Sequence, residues 1–172
     1  AKEFNQQTKK YDAVRRCTSE GFVCDKIAIE KLKHFVSKDA LNIEGLGKKV
    51  IEQFWELKFI KYPFDVFNLD YKKISNLDGW GDLSVKNLRN SIEKAKFIKL
   101  EKFIFSLGIR HIGQENAKLI AENVKKANSF FDLKNKNLIK ELISIDGIGE
   151  TQINSLLNFF SNSINLMVIE KL

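Results

Sequence analysis

Proline is nearly missing from this chain, with one in 172 residues, and glycine is scarce at nine. With 44% hydrophobic residues, that shortage argues against a disordered or low-complexity chain and for a mostly helical fold with a real core. Apolar runs are far shorter than a membrane span and no secretory signal is visible, so no membrane role is expected. Two cysteines, Cys17 and Cys24, are too few for a disulfide framework, and a reducing cytoplasm is the expected setting. Acidic residues fall short of basic ones, leaving a formal charge of +7. The excess is uneven: residues 1–38 hold nine Lys/Arg and five Asp/Glu, the rest twenty and seventeen. Bulk charge alone therefore cannot carry nucleic-acid affinity in the larger part; placed amides and a few placed cations would have to.

What the chain does hold is a repeat. Seven of the nine glycines fall in four copies of one signature: Ile43-Glu44-Gly45-Leu46-Gly47, Leu77-Asp78-Gly79-Trp80-Gly81, Ile109-Arg110-His111-Ile112-Gly113 and Ile145-Asp146-Gly147-Ile148-Gly149. Their starts are 34, 32 and 36 residues apart, a spacing that marks a repeated supersecondary unit. Two glycines around one apolar residue allow a sharp turn with φ > 0. The middle residue (Leu46, Trp80, Ile112, Ile148) is expected to plug inward. Apolar residues recur at helical spacing after each final glycine, so each turn opens a helix. The unpaired N–H groups and the dipole there favour an anion, making each turn a candidate phosphate site.

The copies differ in charge. Lys48 and Lys49 follow Gly47 and are either phosphate contacts or ordinary surface lysines. Trp80 is either a buried plug or a hairpin tip that, were the phosphates those of DNA, touches its groove. Lys86 and Arg89 share a face of the second helix, which Asp82 or Ser84 would cap. In the third copy His111 replaces a glycine, so a strained or different turn is expected, and Arg110 stands where the others carry Glu44, Asp78 or Asp146. On charge, the third copy is the strongest expected phosphate contact. The fourth brings Glu150 and no Lys or Arg through Phe160. Phe54, Trp55, Phe59 and Phe67 are read as core, and Pro63 as the start of a connecting turn or short helix.

These signatures resemble helix-hairpin-helix motifs, which grip the nucleic-acid backbone without reading sequence. Arg15-Arg16-Cys17-Thr18, Leu32-Lys33-His34-Phe35-Val36-Ser37, Ala40 to Gly47, Ile51-Glu52-Gln53 and Ser106 to Gly113 together resemble the zinc-finger and helix-hairpin-helix portion of bacterial NAD-dependent DNA ligases, from about residue 11 to about 160. The resemblance implies nicked double-stranded DNA as partner, an upstream nucleotidyltransferase domain that uses NAD and Mg, and a monomer. It also implies zinc on Cys17 and Cys24 as half of a four-cysteine site. Six residues separate these cysteines where the family usually has five, and the other pair is missing, so the chain reads as a fragment.

The expected architecture is all-α: a truncated zinc-finger remnant over 1–26, a DNA-binding domain over 27–160 and a tail over 161–172. Its four tandem units lie at about 40–58, 71–96, 100–127 and 135–160, pairing 1–2 and 3–4 as pseudo-twofold units. The expected DNA-contacting residues are Gly45, Gly47, Lys48, Lys49, Gly79, Gly81, Lys86, Arg89, Arg110, His111, Gly113, Gly147 and Gly149. No catalytic residues are seen. Alternatives are a stand-alone module of another repair protein, a helical protein-interaction scaffold, or a base-excision glycosylase, for which Asp82 and Lys86 match in type only.

Overall fold

The computed structural model describes residues 22–172, together with a two-residue antiparallel backbone pairing, β1 (Phe4–Asn5) with β2 (Lys10–Tyr11). Cys17 and the Arg15-Arg16 pair lie outside the described residues. The described chain is otherwise helical. Its α-helices are α1 (Asp25–Val36), α2 (Lys48–Glu56), α3 (Tyr71–Ser75), α4 (Asp82–Ala95), α5 (Leu100–Ser106), α6 (Gln114–Val124), α7 (Ala127–Phe131), α8 (Lys136–Glu141), α9 (Glu150–Ser161) and α10 (Ser163–Lys171). A 3-10 helix over Pro63–Asn68 takes the expected connecting place, its proline in the first turn where the missing N–H costs nothing.

The four glycine signatures join α1 to α2, α3 to α4, α5 to α6 and α8 to α9. All four fold alike. The N–H of the plug residue donates to the carbonyl three residues back: Leu46 to Ile43 at 3.4 Å, Trp80 to Leu77 at 3.1 Å, Ile112 to Ile109 at 3.1 Å and Ile148 to Ile145 at 3.0 Å. The third residue of each turn has positive φ: +95° at Gly45, +83° at Gly79, +60° at His111 and +91° at Gly147. A turn with φ > 0 at that place normally demands glycine. His111 takes the same left-handed conformation, so the expected strain is real and the turn type is unchanged.

The helices bury one stripe each. In α1 it is Ala28, Leu32, Phe35 and Val36; in α4 Leu88, Ile92 and Ala95; in α9 Ile153, Leu156, Phe159 and Phe160. Each of the Leu, Ile, Val and Phe side chains among them contributes about 1.5–3 kcal/mol of burial. Two main apolar clusters result. One gathers buried residues from Leu32 to Ala95, the other from Ile104 to Ile169, so each contains two turns. Phe54, Trp55, Phe59 and Phe67 all belong to the first, as expected.

Within each cluster the packing is reciprocal. A Cβ on Gly45 would lie 3.4 Å from Leu88 on α4, while Trp80 packs on Phe54 of α2 with ring centroids 5.6 Å apart. A Cβ on Gly147 would lie 2.9 Å from Leu119 on α6, while His111 reaches Ser155 on α9 at 3.0 Å. Leu119 and Ser155 each stand six residues beyond the glycine that opens their helix. The third turn thus leans on the fourth helix as the fourth leans on the third, a pseudo-twofold exchange.

The clusters are bridged by polar bonds. His34 Nε2 donates to the Phe105 carbonyl at 2.7 Å, its ring against Phe105 at 4.7 Å, and Lys102 donates to the Asp39 carbonyl at 2.8 Å. Lys33 bonds Glu30 and Glu52, both at 2.7 Å, tying α1 to α2. The Glu30 bond, then the Glu52 bond, raise the Lys33 pKa.

Three expectations change. Residues 161–172 are not a tail: Asn162 caps α10 through the N–H groups of Ile164 and Asn165, and Val168 and Ile169 are buried. Residues 128–134, left outside the four expected units, are helical, with Phe130 and Leu133 in the core. The first turn is preceded by a long helix that starts at Asp25, so its unit reaches back beyond residue 40 and into the segment assigned to the zinc-finger remnant.

Two substitutions test this packing by urea denaturation. Leu88→Ala should cost about 2–5 kcal/mol, as fully buried leucines do. Gly147→Ala should cost about 1–3 kcal/mol, because the new Cβ enters left-handed backbone and presses Leu119. A Gly147→Ala protein as stable as its parent would contradict the left-handed packing.

Candidate nucleic-acid interface

Each turn ends in a glycine in extended backbone that serves as N-cap: Gly47, Gly81, Gly113 and Gly149. All four are exposed. The first i→i−4 bonds of the helices come from Ile51, Val85, Ala117 and Ile153, whose N–H groups reach back to these glycines at 2.9–3.1 Å, and at the fourth start the Gln152 N–H also reaches the Gly149 carbonyl, at 3.1 Å. At the first three starts the amides before them therefore lie outside the helical ladder. No side chain caps Gly47, Gly81 or Gly113. Asp82 and Ser84 were expected to cap α4, but Gly81 takes the capping place and both fall inside the first turn of the helix.

The fourth start differs. Gln152 Oε1 accepts the Gly149 N–H at 3.1 Å, so that amide already has an acceptor from its own helix. Asp146 and Glu150 add exposed negative charge.

Around the first turn, Lys48 and Lys49 are exposed on the first turn of α2, with Glu44 beside them. The Glu44 N–H is held by Ser91 Oγ of α4 at 2.8 Å, which anchors this turn on its partner helix. Around the second, Lys86 is exposed, while Arg89 lies over the Tyr71 ring at 5.6 Å and is partly committed there. Trp80 is half-buried against Phe54 and so acts as a plug, while Leu83 on the next turn is 71% exposed. The third turn presents exposed Arg110 and His111, and Asn116 donates to the His111 carbonyl at 3.1 Å.

Three residues escaped the sequence reading. Lys118 is exposed on α6, five residues past Gly113, as Lys86 is five past Gly81; aligning the repeats reveals it. Gln152 and Ser155 matter through contacts that the sequence does not announce.

Cys24 is half-buried at the N-cap of α1. Among the described residues no three His, Cys, Asp or Glu side chains come together to hold a metal. The chain's two cysteines do not make up the four-donor set that structural zinc requires. No described helix is long and apolar enough to cross a membrane.

A family model described as the helix-hairpin-helix motif matches residues 102–169, the third and fourth turns. Proteins named DNA ligase match nearly the whole chain. That of Pelagibacter ubique is 61% identical over 171 residues, covering 99% of this chain and 25% of its own length. That of Parvibaculum lavamentivorans is 40% identical, covering 99% and 26%, and that of Wolbachia pipientis 44%, covering 94% and 25%. The chain spans about a quarter of the length of these curated relatives. Matched across almost every residue by proteins that share one name, it belongs to the DNA ligase family as the counterpart of that quarter.

Proposed function

We propose that this chain is the DNA-clamping part of an NAD-dependent DNA ligase. It holds nicked double-stranded DNA by the sugar-phosphate backbone, without reading sequence. An upstream nucleotidyltransferase domain of the same protein, using NAD and magnesium, does the joining in replication and repair. The carrying observation is the set of four equivalent turns, each opening a helix at an exposed glycine, three of them with no side chain in the amide site. Backbone amides at a helix start bind phosphate whatever the base. Holding both sides of a break in line is how a non-catalytic segment speeds strand joining.

The roles follow from the surroundings. Gly45, Gly79 and Gly147 shape their turns; Gly47, Gly81 and Gly113 offer amides. Lys48, Lys49, Lys86, Arg110, His111 and Lys118 supply cations or donors, and Arg89 contributes less because of Tyr71. Gly149 and the fourth turn mainly support the third. In a longer protein, Cys17 and Cys24 supply half of a four-thiolate zinc site. The protein acts as a monomer in the cytoplasm.

Binding to a labelled nicked duplex across a salt series tests this reading. Affinity should fall steeply, with a log–log slope of about 0.9 per phosphate neutralised, and should vary little with sequence. Arg110→Ala and Lys118→Ala should each weaken binding uniformly and lower the slope by about 1. Strong sequence dependence would contradict backbone recognition, and no binding at low salt would favour a protein-interaction scaffold. Amide hydrogen exchange gives a second check: Gly149 should exchange more slowly than Gly47 or Gly81, and Gln152→Ala should erase the difference.

A further inference from the structure

We infer that Ser155 holds His111 in the tautomer whose outer nitrogen, Nε2, is bare when the ring is neutral, so that His111 grips a backbone phosphate only as the imidazolium. The inference rests on the third turn being a phosphate site, and deepens that reading by making the grip proton-linked.

The argument is one of donors and acceptors. Ser155 Oγ lies 2.9 Å from the Thr151 carbonyl, one helical turn back, and 3.0 Å from His111 Nδ1. A carbonyl can only accept, and a serine hydroxyl has one proton to give. That proton goes to Thr151, the usual bond of a serine inside a helix. Toward His111 the oxygen therefore offers only a lone pair, and Nδ1 must carry a proton. In the neutral ring Nε2 is then an acceptor, which repels a phosphate oxygen. Adding a proton turns Nε2 into a charged donor, which binds it.

The ring is well set for this role. His111 is exposed, and its backbone is fixed at φ +60° by the turn that Ile112 and Ile109 close. Asn116 holds its carbonyl. The charged groups on the surrounding elements are Arg110 on the same turn, Glu115 and Lys118 on α6, Glu150 on α9, and Lys26, Glu30 and Lys31 on α1, which lines one cavity with Gly108, Ile109 and Ile112. Both signs are present, so neither charge state of the ring is excluded by its neighbours. The bound state holds the extra proton, so affinity falls as pH rises. For one linked proton the fall is at most about tenfold per pH unit.

The experiment uses the full chain, a nicked duplex at fixed salt, and pH from about 5.5 to 8.5. His111→Gly keeps the left-handed turn and removes the ring, and Ser155→Ala frees Nδ1. Wild type should lose affinity with rising pH, and His111→Gly should give a flat profile. Ser155→Ala should bind more tightly than wild type at high pH, because its neutral ring can place the proton on Nε2. Ring nitrogen NMR of the unbound protein at high pH should find the proton on Nδ1. A wild-type profile parallel to that of His111→Gly, or a neutral ring protonated on Nε2, overturns the inference while leaving backbone binding intact. Absence of DNA binding at every pH overturns the phosphate-site reading and the inference with it.

Discussion

Everything in this structure depends on a residue held at positive φ in a four-residue turn. That conformation closes the turn's hydrogen bond, drives the next apolar residue into the core and starts a helix at the following glycine. It is also what lets another helix approach closely. Leu88 lies over Gly45 and Leu119 over Gly147 at distances that leave little or no room for a side chain. At Gly45 and Gly147 the local backbone demand and the long-range packing are met at one position, whereas Gly79, with open space where its Cβ would stand, answers the backbone demand alone.

From that constraint follows the division of labour. Two turns per core make each pair a self-completing unit, since each turn supplies a plug and each helix a floor for the other. In the 104–169 core the exchange is unequal in chemistry although equal in geometry. The fourth turn gives its amide to Gln152 and lends α9, with Ser155, to the third. The third turn keeps its amide site and displays Arg110 and His111. One member of the pair is specialised for support, the other for contact.

Much of this was legible in the residues. The four turns, the plugs Leu46, Ile112 and Ile148, the helix starts and the aromatic core around Phe54 follow from spacing and glycine placement. What was not legible came from elsewhere in the fold. Helix α10 carries no glycine signature, and its burial depends on a surface made by distant elements. Asp82 and Ser84 read as caps because they are good cap types, yet Gly81 already occupies the place for reasons of turn geometry. Lys118 needed the repeats to be aligned helix by helix rather than turn by turn. Ser155 is an ordinary helical serine until a histidine 44 residues away comes to rest on it.

Among the described residues, Asn42, Lys58, His111 and Lys125 also take left-handed backbone without being glycine. Lys58 ends α2: its N–H reaches the Trp55 carbonyl at 3.0 Å, and that of Phe59 reaches Phe54 at 2.8 Å, in a helix ending that usually recruits glycine. Lysine has no side chain suited to easing that conformation, and the strain is of the order of 1–3 kcal/mol per residue. A domain is commonly stable by only about 5–15 kcal/mol. In evolutionary terms, Lys58 and Lys125 are therefore headroom. Each is a place where a substitution outside the four turn signatures can raise the thermal margin, and so absorb the cost of change at the turns themselves.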